Sequence, residues 1–387
     1  MSLKKTILNP IHKNLKAKMV EFAGWEMPVQ YSSILEEHLS VRNYVGIFDV
    51  SHMGQIKISG TDSIDFLEKI TPNLVFDQNI KQIRYNAILN EKGGVKDDIT
   101  IMRESENDFL IIVNASNTEK IWNFLFLEAE NYKDVRLENL SDQLSMLAIQ
   151  GPKAEEILIQ VFSNYKNIIQ SLKYYHFETI KYQNEEILIS RTGYTGEDGF
   201  EIILLNELCP PLWVEFINLN TKPCGLGARD SLRLEVLYPL YGHELNEDRT
   251  PVESGIGWIV KEKKVPYNGK ELLLEQKKNH PKKIILPFLL EENGIPREGY
   301  KVYGKEILET YSSPPCFLPD MISDLDFIGI VQSGVYSPIL KTGIGTAFLP
   351  YSFKENYSEI FIEIRNKKLR GKIHFEPFVK GTAKKNK

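Results

Sequence analysis

Two adjacent carboxylates, Asp97 and Asp98, lie just past a Gly93-Gly94 turn in the run Arg84-Tyr85-Asn86-Ala87-Ile88-Leu89-Asn90-Glu91-Lys92-Gly93-Gly94-Val95-Lys96-Asp97-Asp98-Ile99-Thr100. Both flanks of the turn have strand character. Successive side chains of a strand point to opposite faces, so the two acids cannot share a role. If Ile99 and Ile101 point into a core, Asp97 goes inward with them, unless the pattern slips at the turn, and Asp98 joins Thr100 and Met102 on the other face. One of the two is therefore a candidate for a polar face open to a ligand. A carboxylate held beside a reacting group typically speeds proton transfer by about 10²–10⁴-fold.

Other chemistries find little support. The seven histidines, His12, His38, His52, His176, His243, His280 and His374, are scattered, and no two have the short spacing that presents paired ligands to a metal. No metal site is expected. A Gly-x-Gly-x-x-Gly run after a strand and the Gly-x-x-x-x-Gly-Lys phosphate loop are both missing, which argues against nucleotide-driven chemistry. Ser51-His52 is not a nucleophile pair, because neighbours on an extended chain diverge.

The elements that position such residues come from a chain of 387 residues with 42 % apolar content, long enough for two or three domains. Forty-seven basic and 52 acidic residues leave a net charge of −5, which offers no bulk attraction to nucleic acid or anionic membranes. Cys209, Cys224 and Cys316 are odd in number and widely spaced, fitting neither a disulfide framework nor a paired zinc site. No stretch approaches 18 apolar residues, and Met1-Ser2-Leu3-Lys4-Lys5-Thr6 lacks a secretory apolar run, so a mature cytoplasmic protein is expected.

A pattern recurs along the chain. Gly60-Thr61-Asp62-Ser63-Ile64-Asp65-Phe66-Leu67 follows an alternating run, as does Gly151-Pro152-Lys153-Ala154-Glu155-Glu156-Ile157-Leu158, at an offset of 91 positions. The same offset carries Phe109 onto Phe200, Ile111 onto Ile202 and Trp122 onto Trp213. Two copies of one α+β unit are expected, with antiparallel strands over 84–90, 95–103 and 108–114 in the first and 174–183, 187–191 and 199–205 in the second. Helices follow near 117–128 and 211–219, and another spans 227–238 before Pro239. Residues 1–260 are read as one region built from these units, with about 54–140 inserted as a unit. Eight lysines against three glutamates make 261–283 a basic linker, and 284–380 is a small β-rich, barrel-like domain with a fraying tail over 380–387.

Four further segments stand out: Phe22-Ala23-Gly24-Trp25-Glu26-Met27-Pro28-Val29-Gln30-Tyr31, Phe48-Asp49-Val50-Ser51-His52-Met53-Gly54, Arg191-Thr192-Gly193-Tyr194-Thr195-Gly196-Glu197-Asp198-Gly199-Phe200-Glu201, and Cys224-Gly225-Leu226-Gly227-Ala228-Arg229-Asp230-Ser231-Leu232-Arg233. With the Gly93–Asp98 turn, in this order, the chain resembles the aminomethyltransferases of the glycine cleavage system, the T-protein family, over nearly its whole length. Pro251-Val252-Glu253, Gly294-Ile295-Pro296-Arg297 and Ser333-Gly334-Val335-Tyr336-Ser337-Pro338 extend the resemblance into the last domain. It implies an α+β fold: a three-domain cloverleaf ring of two related α+β units with antiparallel sheets plus a small C-terminal β-barrel-like domain. It also implies transfer of a methylene carbon from the aminomethyl-dihydrolipoyl arm of the H-protein to tetrahydrofolate, as co-substrate, giving 5,10-methylenetetrahydrofolate and ammonia, with no metal. By position, the functional acid falls on Asp98 and the folate contacts on Met53, Tyr85, Asn114, Tyr194, Glu201 and Arg229.

These residue types suit a reduced pterin: a carboxylate such as Glu201 accepts its N–H groups, Tyr85 and Tyr194 cover its flat ring, and Arg229 offers a fixed fork of donors to a carbonyl or carboxylate. On their own residues alone, Asp98 is a solvated strand acid, Glu201 the wet face of a half-buried strand, and Arg229 and Arg233 an i, i+4 surface pair. Gln332 stands where the family usually has threonine, 308–325 is longer than the family's turn, and Lys380-Gly381-Thr382-Ala383 lacks an aromatic that some relatives place near folate. The rival reading is a non-catalytic folate-binding protein of the same fold serving iron–sulfur maintenance, whose Lys-Gly-Cys-Tyr-x-Gly-Gln-Glu segment has no match here. A folate domain of a dimethylglycine or sarcosine dehydrogenase is a second rival, without the dinucleotide fingerprint its flavin partner needs. The lysines of 261–283 are expected to steer an acidic H-protein, over about 8 Å at physiological salt.

Overall fold

In the computed structural model, residues 2–304, 325–355 and 359–383 are described; Cys316 and nearly all of the long 308–325 turn lie outside them. Pro10 opens the first helix, α1 (Asn9–Asn14), where its missing N–H costs nothing. The hairpin of β1 (Lys18–Phe22) and β2 (Trp25–Gln30) closes through Ala23 and Gly24, both at positive φ. Ser33 caps α2 (Ile34–Asn43) by accepting from the Glu36 N–H, and the chain then enters β3 (Gly46–Asp49).

The first unit comprises β4 (Gly54–Ser59), α3 (Ser63–Ile70), β5 (Ile83–Leu89), β6 (Val95–Arg103), β7 (Asp108–Val113), α4 (Thr118–Ala129) and β8 (Arg136–Asn139). The second comprises β9 (Leu144–Gln150), α5 (Ala154–Val161), α6 (Lys166–Ser171), β10 (Phe177–Tyr182), β11 (Glu185–Ser190), β12 (Gly199–Leu205) and α7 (Cys209–Asn218). Their sheets run β5-β6-β7-β4-β8 and β10-β11-β12-β9-β3-β13, the last strand being Lys222–Pro223. The first four strands of each follow the same order. Ser63 and Ala154, Asp108 and Gly199, and Thr118 and Cys209 open equivalent elements, each pair 91 positions apart. The duplicated unit expected from the sequence is thus present in both chain order and sheet order.

Each sheet buries both faces. Ile56, Ile58, Ile99, Ile101 and Ile111 pack under the helices of the first unit, as Leu147, Ile149, Phe200 and Ile202 do with Trp213 in the second. The opposite faces meet each other: Met102, Leu110 and Ile112 from the first sheet join Met146, Ala148 and Ile203 from the second in one apolar cluster. Each Leu, Ile, Met or Phe side chain among them contributes about 1.5–3 kcal/mol when fully buried. Backbone bonds from Ile83 N–H to Tyr175 O and from Phe177 N–H to Lys81 O stitch the two sheets at one end.

Helix α8 (Leu226–Glu235) follows, packed against α2 and β2, then α9 (Lys270–Asn279). Six strands close a barrel in the order β14-β17-β16-β15-β18-β19, with β14 Lys283–Leu290, β15 Lys301–Gly304, β16 Asp326–Ser337, β17 Thr342–Pro350, β18 Glu359–Ile364 and β19 Lys367–Ile373.

Within the basic segment 261–283 most lysines are exposed, but Lys263 is not. Lys263 is buried, its Nζ 2.7 Å from Glu68 Oε2; Lys270 Nζ donates to the Lys263 carbonyl, and Lys277 Nζ donates to the Val260 carbonyl at 2.7 Å. The buried Lys263 ammonium, paired within its own chain, is withdrawn from a partner. Steering applies to the exposed members Lys264, Lys277, Lys278, Lys282 and Lys283. The tail also differs where it is described: Thr382 and Ala383 are hydrogen-bonded to the second unit rather than frayed, and 384–387 lie outside the described residues.

Candidate functional site

The two sheets do not close completely, and the space left beside their shared apolar cluster is a cavity of about 510 Å³. Asp98 enters it from β6, on the face it shares with Thr100, while Asp97 points to the helix side, fully buried. A strand acid that would be solvated on an open sheet is here turned toward a second sheet. Tyr85, two residues along β5 from the partner of Asp98, donates its hydroxyl to Asp98 Oδ2 at 3.0 Å.

Strand alternation separates the two acids, yet one residue reaches both. Asn114, at the end of β7, donates through Nδ2 to Asp98 Oδ1 at 2.8 Å and to Asp97 Oδ1 at 2.8 Å, and its backbone N–H reaches Asp97 Oδ2 at 2.9 Å. Asn117 Nδ2 adds a third partner to Asp97 at 2.6 Å. Asp97 therefore anchors the turn that aims Asn114, and Asn114 aims Asp98. Burial raises both carboxyls above the usual carboxylate range; the neighbouring Asp98 charge raises Asp97 further, and the bonds from Tyr85 and Asn114 oppose the rise at Asp98.

The second unit supplies the other wall. Glu201 on β12 accepts from the Thr192 hydroxyl at 2.5 Å, and burial raises its carboxyl while Thr192 and Arg229 oppose the rise. The guanidinium of Arg229, from α8, lies 4.6 Å from the Tyr194 ring centroid and itself makes no hydrogen bond or ion pair among the described residues. An arginine fork without a partner inside a cavity is set for a ligand acceptor. Tyr194 donates its hydroxyl to the Pro239 carbonyl, which fixes its ring. Arg233, one turn on, is not a surface charge: it is buried against Asp230, Glu244, the Tyr238 carbonyl and Ser333 of the barrel.

All seven residues singled out, Met53, Tyr85, Asp98, Asn114, Tyr194, Glu201 and Arg229, line this one cavity. So do Thr192, Tyr174, Tyr175, Tyr238 and Trp258, which the sequence reading passed over. Trp258 stacks on Tyr85 with centroids 5.7 Å apart and is 58 % exposed, an unusual state for tryptophan and a signal of a cavity mouth. Tyr175 reaches the cavity because its backbone turns to φ 59° just before β10, a break that alternation does not announce.

His52 is buried next to these walls, with no partner for Nδ1 and its ring edge-on to Phe22 at 5.7 Å. Burial, and then Arg229, push its imidazole down to about 4. It is neutral in the folded protein, whereas the unfolded chain takes up its proton near 6.5, so stability is lost as pH falls from about 6.5 to about 4. At about 1.36 kcal/mol per unit the loss is about 3 kcal/mol. His52→Gln is expected to lose less stability than the parent between pH 7 and pH 4.5 in urea unfolding; equal losses would remove this role. Among the described residues no group of three or more His, Cys, Asp or Glu side chains is placed to hold a metal ion.

Comparison with known proteins decides the affiliation. Residues 8–264 match the GCVT N-terminal domain, and residues 283–380 match the glycine cleavage T-protein C-terminal barrel domain. The chain belongs to the glycine cleavage T-protein family. It is 42 % identical to an aminomethyltransferase of Leptospira biflexa over 393 residues, covering 100 % of both chains, and 45 % identical to one of Leptospira interrogans, covering 99 % of each. Its structure is similar to that of the glycine cleavage system aminomethyltransferase T from Bartonella henselae, with a TM-score of 0.87 at 30 % identity and 99 % of each chain covered. This T-protein family member is thus an enzyme, an aminomethyltransferase with an α+β fold that ends in a closed barrel. Among the described residues no helix of this T-protein family member is long and apolar enough to cross a membrane.

Proposed function

We propose that the enzyme transfers the methylene carbon of an aminomethyl group, carried on the dihydrolipoyl arm of an H-protein, to tetrahydrofolate, giving 5,10-methylenetetrahydrofolate and ammonia. The S–CH₂ and CH₂–N bonds of the carried group break, and bonds form from the carbon to N5 and N10 of folate. Of the two protons that N5 and N10 lose, one goes to the lipoyl sulfur and one to the departing nitrogen. The observation that carries the reading is the division of labour in the cavity: Asp98, which no lysine or arginine pairs among the described residues, faces a wall where Glu201 and the unpartnered Arg229 wait beside two aromatic rings.

In that arrangement Glu201 accepts the N–H groups of the pterin with the oxygen that Thr192 leaves open, Tyr85 and Tyr194 cover the ring, and Arg229 meets a carbonyl or carboxylate. Asp98, kept in place by Tyr85 and Asn114, has one charge to offer in a site of low polarity, where it raises the nucleophilicity of a folate nitrogen or stabilises a cationic methylene-iminium. The deciding experiment supplies aminomethylated H-protein and tetrahydrofolate and follows methylenetetrahydrofolate and ammonia together. Binding of tetrahydrofolate without formation of either product would sink the reading in favour of a folate-binding protein.

Glu201→Gln tests the binding half. The amide can satisfy Thr192 with its oxygen only by turning donors toward the donors of the pterin. Loss of a charge-assisted pair costs about 1.5–3 kcal/mol, so tetrahydrofolate affinity falls by roughly one to two decades by calorimetric titration. Wild-type affinity in the variant would count against the assignment.

A further inference from the structure

The last described residues do not end at the barrel. Phe378 and Val379 pack with Leu234 and Leu237 of the α8 end and with Val335 and Ile344 of the barrel, and the Val379 N–H donates to the Glu235 carbonyl at 3.0 Å. From there the chain runs back onto the second α+β unit. Thr382 donates its hydroxyl to Glu197 Oε2 and its N–H to the same oxygen at 3.2 Å; the Asp198 N–H donates to Thr382 Oγ1 at 3.1 Å; and the Ala383 N–H donates to the Gly196 carbonyl at 3.1 Å. Gly381 lies so close that a Cβ there would stand 1.9 Å from the Gly196 oxygen, a backbone-on-backbone approach only glycine permits.

The gripped segment, 196–198, continues directly from Thr192 and Tyr194, which line the cavity. Its inner side is held by other groups: Thr195 donates to Gln150 Oε1 at 2.8 Å, and Arg42 reaches both the Thr195 carbonyl and Glu197 at 2.7 Å. The strap supplies the outer side. Glu197 thereby joins Arg42 of the N-terminal region to Thr382 of the C-terminal tail across the loop that aims Tyr194.

We infer that residues 379–383 are a strap that sets the position of the Tyr194 loop, with Gly381 and Thr382 as positioning residues for folate binding; the folate part rests on the function proposed above. Thr382 touches no cavity atom. Its effect passes through Glu197 and the Asp198 amide to the backbone that carries Tyr194 and Thr192, and through Thr192 to Glu201. By linkage, folate in the cavity and the strap on the loop stabilise each other by the same factor.

The test compares Thr382→Val with Thr382→Ser in the full chain. The valine variant is expected to raise KM for tetrahydrofolate about fivefold or more, the lower end of typical coupling, with kcat nearly unchanged, and serine to restore it. Hydrogen exchange over residues 193–198, measured without ligand, is expected to quicken in the valine variant and not in the serine variant. A variant that only unfolds at lower denaturant, with KM and 193–198 exchange as in the parent, overturns the inference. If the parent itself fails to bind tetrahydrofolate, the proposed function falls, and the ligand-free exchange still decides the strap: unchanged exchange in Thr382→Val rejects it.

Discussion

Asp98→Asn leaves tetrahydrofolate bound and slows the single-turnover transfer by about 10²–10⁴-fold. The amide keeps the shape that Tyr85 and Asn114 hold, and what disappears is the charge facing the cavity. The comparison that gives this result its meaning is Asp97→Asn. Asp97 accepts the Asn114 N–H, the Asn114 amide and the Asn117 amide, so an asparagine there sets donor against donor in a fully buried place and costs about 1–3 kcal/mol of stability. Its rate loss comes second-hand, through a displaced Asn114, and stays well below that of Asp98→Asn. The pH profile separates them again. Burial raises the Asp98 carboxyl, so as pH falls the parent loses its charge, and its rate, above the usual carboxylate range, whereas Asp98→Asn is slow throughout that range. A slower Asp97→Asn, or a parent whose acid limb lies at an ordinary carboxylate pKa, would end the assignment.

Local chemistry in the sequence carried the elements well. Strands expected over 95–103 and 199–205 run from Val95 to Arg103 and from Gly199 to Leu205, because alternation and Gly or polar turns bound them on both sides. The helix expected over 227–238 stops at Glu235, since Leu237 turns to φ 59° before Pro239 and brings its side chain to the cavity. The strand expected from 174 begins at Phe177 for the same reason: Tyr174 and Tyr175 leave the ladder to line the site. Regular positions follow local rules, including cavity residues on strands such as Asp98 and Glu201, whereas Tyr174, Tyr175 and Leu237 break them where the chain turns toward the site.

The face of Asp98 was legible, but what covers that face was not. Alternation reports which side chains share a side; it cannot report that a second sheet lies opposite, which is what turns solvated acids into half-buried ones at Asp98 and Glu201. Lys263 departs in the converse way. Charge density predicts a wet surface, and Lys263 is buried because Glu68, 195 residues away, is there to meet it. Such pairings are set by the fold alone.

Arg42 is the strongest case of this kind, and its removal is expected to cost about 3–5 kcal/mol, because it leaves buried carboxylates without their cation. Its guanidinium donates to Glu235 Oε2 from Nε at 3.0 Å and from Nη2 at 2.8 Å, to Glu197 and the Thr195 carbonyl from Nη1 at 2.7 Å, and to the Leu232 carbonyl at 3.1 Å. Glu235 also takes the Ser337 hydroxyl of β16 at 2.5 Å and lies 3.1 Å from His38 Nε2, so one arginine on α2 holds α8, the barrel and the Tyr194 loop together. In Arg42→Met the apolar stem is replaced and the five donors are lost, with Glu197 left to Thr382 alone and Glu235 to His38 and Ser337. Urea unfolding is expected to show the full loss in Arg42→Met. In the double variant Arg42→Met/Glu197→Gln the loss is expected to be smaller, since one stranded charge is gone. Non-additivity of that sign is the mark of a shared buried network. A loss under about 1 kcal/mol for Arg42→Met, within the range of exposed ion pairs, would mean that the charges find water and that α8, the barrel and the Tyr194 loop are held by their apolar contacts instead.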